Sequence, residues 1–222
     1  MQNKEIILVT GASSGMGRET AIRFAKEGYV VYAAARRLDK LNELKSNGCI
    51  PLELDITNDE SIVNAVKLIE KNHGGVDVLF NNAGIAILGS VEEMTIEDAR
   101  KTFDVNVFGL ARLTQLVIPY MRKKGAGKII NNSSIAGKTH GPITAWYAAS
   151  KHAVEGFNSC LRVELQPFGI QVVAIRPGAI STGLIGSYVD ELMETSGKGA
   201  YGKMTKAVAD WSKSRDCNPK YS

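Results

Sequence analysis

Short runs rich in β-branched apolar residues alternate along the chain with longer segments whose apolar residues recur at helical spacing. This alternation is typical of a parallel sheet, because two parallel neighbours must be joined by a helix-length crossover. Helices then cover both faces of the sheet, which explains why the strands are apolar throughout. The pattern predicts a doubly wound α/β fold of three layers, with six strands at residues 6–10, 30–35, 51–54, 78–81, 128–133 and 171–176.

The segments between these strands predict five helices, at residues 15–26, 38–47, 59–72, 96–123 and 145–166. Residues 57–60 and 95–98 match capping boxes or close variants, which places the starts of two helices. Pro119 predicts a kink or a local irregularity in the fourth helix. Since no repeat, linker or change in composition divides the 222 residues, one domain is predicted, with residues 181–222 as a substrate lid and C-terminal excursion.

The charge balance argues against nucleic acid as a partner. The 27 Lys and Arg residues are interleaved with 23 acidic residues, and the formal net charge is only +4. The apolar run at residues 6–9 is too short for a signal peptide or a membrane span, so a cytoplasmic protein is predicted. Three cysteines and three histidines are scattered along the chain, which indicates neither a disulfide framework nor a metal site.

A glycine-rich turn, TGASSGMG at residues 10–17, directly follows the first predicted strand and leads into the first helix. Glycines at such a turn let the backbone approach a pyrophosphate, and the helix N-terminus offers unpaired N–H groups to the anion. A tight turn with a small-residue packing contact is the alternative. Because a strand and a helix flank the turn, we interpret it as a dinucleotide site in a Rossmann-like sheet.

Further motifs follow this turn in order: LDIT at 54–57, NNAG at 81–84, Asn106 within a helix, NNSS at 131–134, Tyr147 with Lys151, and RPGAIST at 176–182. With these motifs the chain resembles the short-chain dehydrogenase/reductase family over almost its whole length. The resemblance implies an enzyme that interconverts a carbonyl and a secondary alcohol by hydride transfer with a nicotinamide cofactor. The chain departs from the family in one respect, since a further helix and a seventh strand are expected beyond the sixth.

Arg36 indicates which cofactor is used. The second strand ends at Ala35, where an acidic side chain would accept hydrogen bonds from ribose hydroxyls and repel a 2′-phosphate. A guanidinium at the next position can hold a phosphate in bidentate fashion. The sequence therefore predicts NADP(H), and the alternative is a solvated arginine in a protein that binds NAD(H).

The resemblance also implies a set of cofactor contacts. Asp55 and Ile56 would lie at the adenine, although Asp55 could instead cap the next helix. Asn82, Ala83 and Gly84 would line the adenosine ribose, a role that is partly architectural. The remaining predicted contacts are the glycine turn (Gly11, Ser13, Ser14, Gly15, Met16, Gly17) and the segment beside the nicotinamide carboxamide (Pro177, Gly178, Ile180, Thr182).

Tyr147 and Lys151 are one helical turn apart and should share a helix face. A tyrosine ionises near pKa 10, and an ammonium about 5 Å away at an effective dielectric of about 20 favours phenolate by roughly 3 kcal/mol, or about two pKa units. The resemblance assigns Tyr147 the acid/base role and gives Lys151 the nicotinamide ribose as a second partner. It places Ser134, rather than Ser133, at the substrate oxygen, and it has Asn106 kink its helix and hold a water that links Lys151 to solvent.

Apolar residues near the reacting centre predict a small, apolar substrate, if they line its mouth. They are Ile135, Ile143, Trp146, Leu184, Ile185, Tyr188 and Leu192. The alternative is that they pack the lid onto the domain. The resemblance further implies a homodimer or homotetramer built on the helices at 96–123 and 145–166.

Three matters stay open from the sequence. A non-catalytic NADP(H)-binding regulatory protein on the same fold is one rival, and a nucleotide-sugar epimerase is another, although those chains are longer and use a different glycine spacing. No seventh strand is visible before Ser222. Either the chain is truncated, or a partner or residues 181–221 cover the apolar edge of the sixth strand, which would otherwise be a pairing hazard.

Overall fold

The computed structural model describes residues 4–178 and 184–216, so Ile180 and Thr182, predicted beside the nicotinamide, lie outside the described residues. Six strands form one parallel sheet in the order β3-β2-β1-β4-β5-β6. They are β1 (Ile6–Thr10), β2 (Val30–Ala35), β3 (Ile50–Glu53), β4 (Val78–Asn81), β5 (Gly127–Asn132) and β6 (Ile170–Ile175). The predicted parallel sheet is confirmed. Three strands begin and end one residue earlier than predicted, because pairing with the neighbouring strand, and not composition, sets their ends.

The strand order reverses between β1 and β4, since the chain winds from β1 to one edge of the sheet and from β4 to the other. In open α/β sheets, ligands bind beyond the carboxyl ends of the strands at this reversal. Thr10 and Asn81 end these two strands. The glycine turn and Asn82 therefore occupy the position at which a dinucleotide is expected.

Helices occupy the predicted segments, although in the second of them a 3₁₀ turn, Glu43–Asn47, follows a short α-helix. The α-helices are α1 (Gly15–Lys26), α2 (Leu38–Asn42), α3 (Asp59–His73), α4 (Ile96–Phe103), α5 (Leu110–Lys124), α6 (Ala145–Leu165), α7 (Leu184–Ser196) and α8 (Gly202–Asp216). Asn58 caps α3 by accepting from the Ser61 N–H, and Thr95 caps α4 by accepting from the Asp98 N–H.

The single helix predicted at 96–123 is divided. A π-helical stretch, Asp104–Gly109, separates α4 from α5, and α5 then runs through Pro119. π-Helical stretches are rare and are frequent at functional sites. The irregularity thus lies at Asn106, where the family resemblance implied a kink.

The chain separates into two compact units. The first comprises Met1–Ala83, Phe108–Asn132 and Gly156–Ile175, and it contains the whole sheet. The second comprises Gly84–Val107, Ser133–Glu155 and Arg176–Ser222. The expectation of one domain stays a prediction.

A buried carboxylate anchors the first unit. Asp77 precedes β4 and accepts hydrogen bonds from the backbone N–H of Ile6 at 2.9 Å and from the Tyr120 hydroxyl at 3.4 Å. Lys124 at the end of α5 donates to the same carboxylate at 2.5 Å. This hydrogen bond outweighs partial burial and raises the pKa of Lys124. Lys124 is therefore fixed in its charged form.

Apolar contacts hold the second unit together. Leu88, Ile143 and Leu192 form a buried cluster against which Tyr147 and Tyr188 pack. None of the helices in the described residues is long and apolar enough to cross a bilayer.

Candidate active site

The glycine turn after β1 leaves the start of α1 open to an anion. Gly11 and Gly15 have φ angles of 65° and 55°, a region that favours glycine. Ser14 is the N-cap residue and has an extended backbone conformation. Its side chain makes no capping hydrogen bond to the first turn of α1. The first turn of α1 also lacks acidic residues. Its N–H groups and the positive end of its dipole are therefore available to a phosphate.

Close packing explains why residues 11 and 17 of the turn are glycines. A Cβ atom on Gly17 would collide with the Asn82 side-chain nitrogen and lie 2.5 Å from the Gly11 carbonyl oxygen. One on Gly11 would lie 2.9 Å from the Ala83 Cα. Asn82 Nδ2 donates to the Thr10 carbonyl at 3.0 Å, which holds the two turns together. Gly11 and Gly17 are thus required by close packing, which was the alternative interpretation of the motif. Asn82 makes structural contacts of the kind that its architectural role requires.

Two arginines follow β2, and the structure brings the second one to the glycine turn. Arg37 Nη2 donates to the Ser13 hydroxyl at 3.1 Å. Arg36 is exposed and, with Asp55, lines an open cleft of about 550 Å³. The sequence prediction includes Arg36 alone, although the pair of arginines directly after β2 also points to Arg37.

Asp55 has a local structural role. Its Oδ1 accepts from the backbone N–H of Thr57 at 2.9 Å and from the Thr57 hydroxyl at 2.7 Å. Burial raises the pKa of Asp55, but the Thr57 hydrogen bonds and the Arg36 charge outweigh it, so the net pKa is lowered. Asn58, not Asp55, caps α3. Ile56 beside it is buried, with 8% of its surface exposed.

Tyr147 and Lys151 face each other in the first two turns of α6. The Lys151 ammonium nitrogen lies 5.8 Å from the centroid of the Tyr147 ring. Lys151 is only 5% exposed, and burial lowers its pKa to about 8. The predicted shared helix face is therefore present, together with a lysine that titrates close to neutral pH.

The environment of Tyr147 differs from the expectation in one respect. Burial raises the pKa of its phenol, the hydrogen bond with Ser134 lowers it, and Tyr188 raises it, for a net increase. The lowering expected from the Lys151 charge does not dominate, because desolvation disfavours the phenolate more strongly. Tyr147 is thus a neutral phenol that can donate a proton.

Ser134 lies two residues after β5 and begins a short 3₁₀ turn, Ile135–Gly137. Its Oγ accepts from the Ala136 N–H at 3.1 Å and is hydrogen-bonded to the Tyr147 phenol. Ser133 is buried, and its Oγ has no hydrogen-bond partner among the described residues. The structure therefore brings Ser134, and not its neighbour, to Tyr147, and the place of Ser134 at the substrate oxygen stays a prediction.

Asn106 lies in the π-helical stretch and binds two other segments. Its Oδ1 accepts from the Ile85 N–H at 2.9 Å, and its Nδ2 donates to the Ile85 carbonyl at 2.9 Å and to the Ser150 hydroxyl at 3.1 Å. Ser150 precedes Lys151 on α6. Asn106 thereby ties the chain beyond β4 to the helix that carries the Tyr147–Lys151 pair.

The predicted nicotinamide segment is linked to the Ser134 turn. The Pro177 carbonyl accepts from the Ile135 N–H at 3.1 Å. Gly178 is exposed, and a Cβ there would meet no atom of the described residues within 4 Å, so packing against this part of the chain does not require that glycine. Gly84, predicted at the ribose, is also exposed.

The sequence gives no sign of the backbone conformation of Ile143. Its φ angle is 64°, in the left-handed region that β-branched residues avoid. Its carbonyl accepts from the Gly89 N–H at 3.0 Å, and its side chain is buried. Such strain costs about 1–3 kcal/mol and is concentrated at functional sites. Ile143 and the fully buried Leu192 belong to the apolar cluster against which Tyr147 packs. This burial favours the packing alternative for these two residues.

The other residues expected at the substrate mouth differ among themselves. Ile135 is exposed, and the Trp146 indole nitrogen is buried without a hydrogen-bond partner among the described residues. The side chains of Leu184 and Ile185 lie outside the described residues. In the described parts of the chain, no group of three or more His, Cys, Asp or Glu side chains is placed to hold a metal ion.

A family model described as short chain dehydrogenase matches residues 5–192 of the chain. The chain belongs to the short-chain dehydrogenase family. The predicted family is confirmed, and with it the enzyme class, oxidoreductases that act on alcohol and carbonyl groups.

Two curated relatives show the extent of the similarity. An uncharacterized oxidoreductase, YusZ, from Bacillus subtilis is 40% identical over 199 residues, which cover 86% of this chain and 70% of the relative. A 3-ketodihydrosphingosine reductase from Bacteroides thetaiotaomicron is 41% identical over 180 residues, which cover 81% of this chain and 65% of the relative. The chain thus spans about two thirds of the length of these relatives.

Two solved structures confirm the fold. A variant of actinorhodin polyketide ketoreductase with NADPH matches at a TM-score of 0.82 and 32% identity, covering 100% of this chain and 93% of that one. An NAD⁺-bound xylitol dehydrogenase matches at a TM-score of 0.82 and 26% identity, covering 96% and 85%. The neighbours therefore include proteins bound to either cofactor.

Proposed function

We propose that this protein interconverts a carbonyl compound and the matching secondary alcohol with NADP(H), and that Tyr147 is the proton donor and acceptor. The observation that carries the proposal is the arrangement of three side chains in the second unit. Tyr147 is hydrogen-bonded to Ser134, and the Lys151 ammonium lies 5.8 Å from the centre of the phenol ring. Family membership supplies the class of reaction.

The first unit fits a nicotinamide dinucleotide phosphate. The uncapped start of α1 and the left-handed Gly15 suit the pyrophosphate, with Ser13, Ser14, Met16 and Gly17 around it. Asp55 and Arg36 line a cleft of about 550 Å³ that can take the adenosine end. When bound, the nicotinamide supplies hydride for reduction and accepts it in oxidation.

Arg36 and Arg37 together favour the 2′-phosphate. An acidic residue at the end of β2 would repel that phosphate, and Ala35 stands there instead. Two guanidinium groups follow, of which one already contacts the glycine turn through Ser13. We therefore assign NADP(H) and treat Arg37 as a second candidate contact to the phosphate.

The side chains of the second unit carry the proton chemistry. Ser134 donates a hydrogen bond to the carbonyl oxygen, and Tyr147 transfers its phenol proton to that oxygen as hydride reaches the carbon. Lys151 stabilises the phenolate that remains, because a pKa of about 8 keeps most of the lysine charged at neutral pH. Asn106 holds α6 in place through Ser150.

An apolar carbonyl compound is the substrate class that we propose. Tyr147 lies against a cluster of Leu88, Ile143 and Leu192, and Tyr188 packs on the same cluster while remaining partly exposed. An apolar chain on the substrate could continue this surface. The name of the Bacteroides thetaiotaomicron relative, a 3-ketodihydrosphingosine reductase, is consistent with such a substrate.

A homodimer or homotetramer is part of the proposal. Phe108, in the π-helical stretch before α5, is 61% exposed, and Val163 near the end of α6 is 71% exposed. Both belong to the helices that were predicted to form the interface. Light scattering after size-exclusion chromatography tests this assembly, and a monomer at micromolar concentration would contradict it.

The activity is tested with a panel of ketones and secondary alcohols of increasing apolar chain length, offered with NADPH, NADP⁺, NADH and NAD⁺. The near-ultraviolet absorbance of the reduced nicotinamide reports turnover. We expect kcat/KM to rise with chain length, since each buried methylene contributes about 0.8 kcal/mol. Tight NADPH binding without any turnover would instead favour a regulatory protein on the same fold.

The cofactor assignment is tested with Arg36→Ala and Arg37→Ala. Loss of a charge-assisted contact to the 2′-phosphate should weaken NADPH binding about 10- to 100-fold. NADH serves as the internal control, because it lacks this phosphate and should bind both variants as it binds the unaltered protein. Unchanged NADPH affinity in both variants would remove the argument for NADP(H).

A further inference from the structure

Glu155 is a buried carboxylate one helical turn after Lys151 on α6. Its side chain is 5% exposed. Arg176 donates two hydrogen bonds to the carboxylate, from Nε to Oε1 at 2.8 Å and from Nη2 to Oε2 at 2.6 Å. Lys138 Nζ lies 3.4 Å from Oε2. Burial alone raises the pKa of Glu155, but the hydrogen bonds and the charge of Arg176, with the Lys138 ammonium nearby, hold it at about 2. The carboxylate is thus ionised throughout the working pH range.

The partners of Glu155 come from the two segments that flank the reacting groups. Arg176 follows β6 directly and precedes Pro177, whose carbonyl accepts from the Ile135 N–H at 3.1 Å. Lys138 directly follows the 3₁₀ turn that Ser134 begins. One carboxylate therefore joins α6, the Ser134 turn and the predicted nicotinamide segment.

The Ser134 turn lies against α6 without space to spare. A Cβ on Gly137 would lie 2.7 Å from the Ser133 Oγ, 3.0 Å from the Glu155 Cγ and 3.0 Å from the Lys151 carbonyl oxygen. Because interiors packed this closely cannot deform continuously, a shift of the Glu155 side chain must move the turn.

We propose that Glu155 is a positioning residue, whose ion pairs with Arg176 and Lys138 fix the Ser134 hydroxyl against the Tyr147 phenol. The inference rests on the proposed function. A buried ion pair contributes little net stability, because desolvation offsets the attraction, but its directional hydrogen bonds can fix one arrangement. The reaction needs such a fixed arrangement, since Ser134 and Tyr147 must reach the same substrate oxygen.

Glu155→Gln tests the inference, because the amide keeps the size of the side chain and loses the charge. A misplacement of catalytic groups by about 1 Å can cost about 100-fold in rate. We expect kcat and kcat/KM to fall together by about 100-fold with little change in KM, the pattern of a lost transition-state interaction. Glu155→Asp, which keeps the charge, should recover part of the loss.

Asp59→Asn is the matched control. Asp59 forms an ion pair with two nitrogens of the Arg112 guanidinium, Nε and Nη2, but this pair is exposed on the first unit. The control removes one carboxylate from an arginine and should leave kcat unchanged. If Glu155→Gln does not fold, Arg176→Gln breaks the same contact from a side chain that is 43% exposed.

Hydrogen exchange of the full-length protein without substrate gives a readout that does not depend on turnover. Exchange in residues 134–138 should become about tenfold faster in Glu155→Gln and stay unchanged in Asp59→Asn. Unchanged exchange in this turn, or unchanged kcat, would overturn the inference. If the unaltered protein turns over no carbonyl, the proposed function fails, while the exchange result still decides whether Glu155 fixes the turn.

Discussion

Two lysines, one exposed and one buried, show how the same side chain takes opposite properties in two regions of the molecule. Lys124, at the end of α5, donates to the buried Asp77 carboxylate, and this hydrogen bond raises its pKa. Lys151, on α6, is 5% exposed, and burial lowers its pKa to about 8. The first lysine keeps its charge at any physiological pH, and the second can exchange a proton.

The difference separates a structural lysine from a chemical one. Lys124 belongs to a network that includes the Ile6 N–H and the Tyr120 hydroxyl, and it joins α5 to the sheet. Lys151 lies beside a phenol that is itself perturbed by burial. Perturbed groups that cluster in this way are typical of active sites. We therefore expect changes in the Lys151 region to affect turnover and changes in the Lys124 region to affect stability.

The largest effect is expected for Tyr147→Phe. Removing the phenol oxygen removes the proton donor, so kcat should fall about 1000-fold or more, while the melting temperature changes little. Tyr120→Phe is the matched control, since it removes a phenol that serves Asp77. Carbonyl reduction by the Tyr147 variant at more than about a tenth of the normal kcat would contradict the assigned role.

Lys151→Met should lower kcat about 100-fold. An ammonium 5.8 Å from the phenol ring stabilises the phenolate by about 3 kcal/mol at an effective dielectric of about 20. Methionine preserves much of the buried volume and so limits the loss of stability. Steady-state kinetics and thermal melts measure the two effects separately. A variant with normal kcat but reduced stability would show that Lys151, like Lys124, has only a structural role.

Lys124→Met should show the reverse pattern. It leaves the buried Asp77 with two hydrogen-bond donors, and we expect a loss of about 2 kcal/mol in the free energy of unfolding with unchanged kcat. Urea denaturation measures the loss. The exposed pair of Lys40 and Glu43 provides the control, since Lys40→Met should cost less than about 0.5 kcal/mol.

The smallest effect concerns the pH dependence of stability. Lys151 has a folded pKa of about 8 against 10.5 for the ordinary group, so between these values the unfolded chain binds more protons. Stability must then rise with pH in this window and be lost as pH falls through about 8. From pH 8 to about 9.5 the rise should be about 1.5 kcal/mol larger in the unaltered protein than in Lys151→Met. Equal slopes in urea titrations of the two proteins would disprove the shifted pKa.

The strand pattern and the motifs predicted the fold and most of the candidate site. Apolar runs separated by helix-length segments leave few alternatives to a parallel sheet, and the strand ends moved by no more than one residue. The Tyr147–Lys151 contact also followed from local geometry, since residues four apart on a helix face the same side. Periodicity and spacing are local properties of the chain, so the sequence alone is enough to predict the sheet and the Tyr147–Lys151 contact.

Other features depend on residues that are far apart in the sequence. Arg176 meets Glu155 and Asn106 meets Ile85 only because the fold brings distant segments together. The net rise in the pKa of Tyr147 and the fall in that of Lys151 depend on how much water the surrounding chain excludes.

The sequence by itself therefore determined the order of the strands along the chain and the choice of candidate reacting groups. Tertiary structure alone decided their protonation, the left-handed backbone of Ile143 and the anchoring of the Ser134 turn by Glu155. The physical reason is that helical and strand periodicity act between near neighbours, whereas desolvation, strain and ion pairing are set by everything that packs around a group.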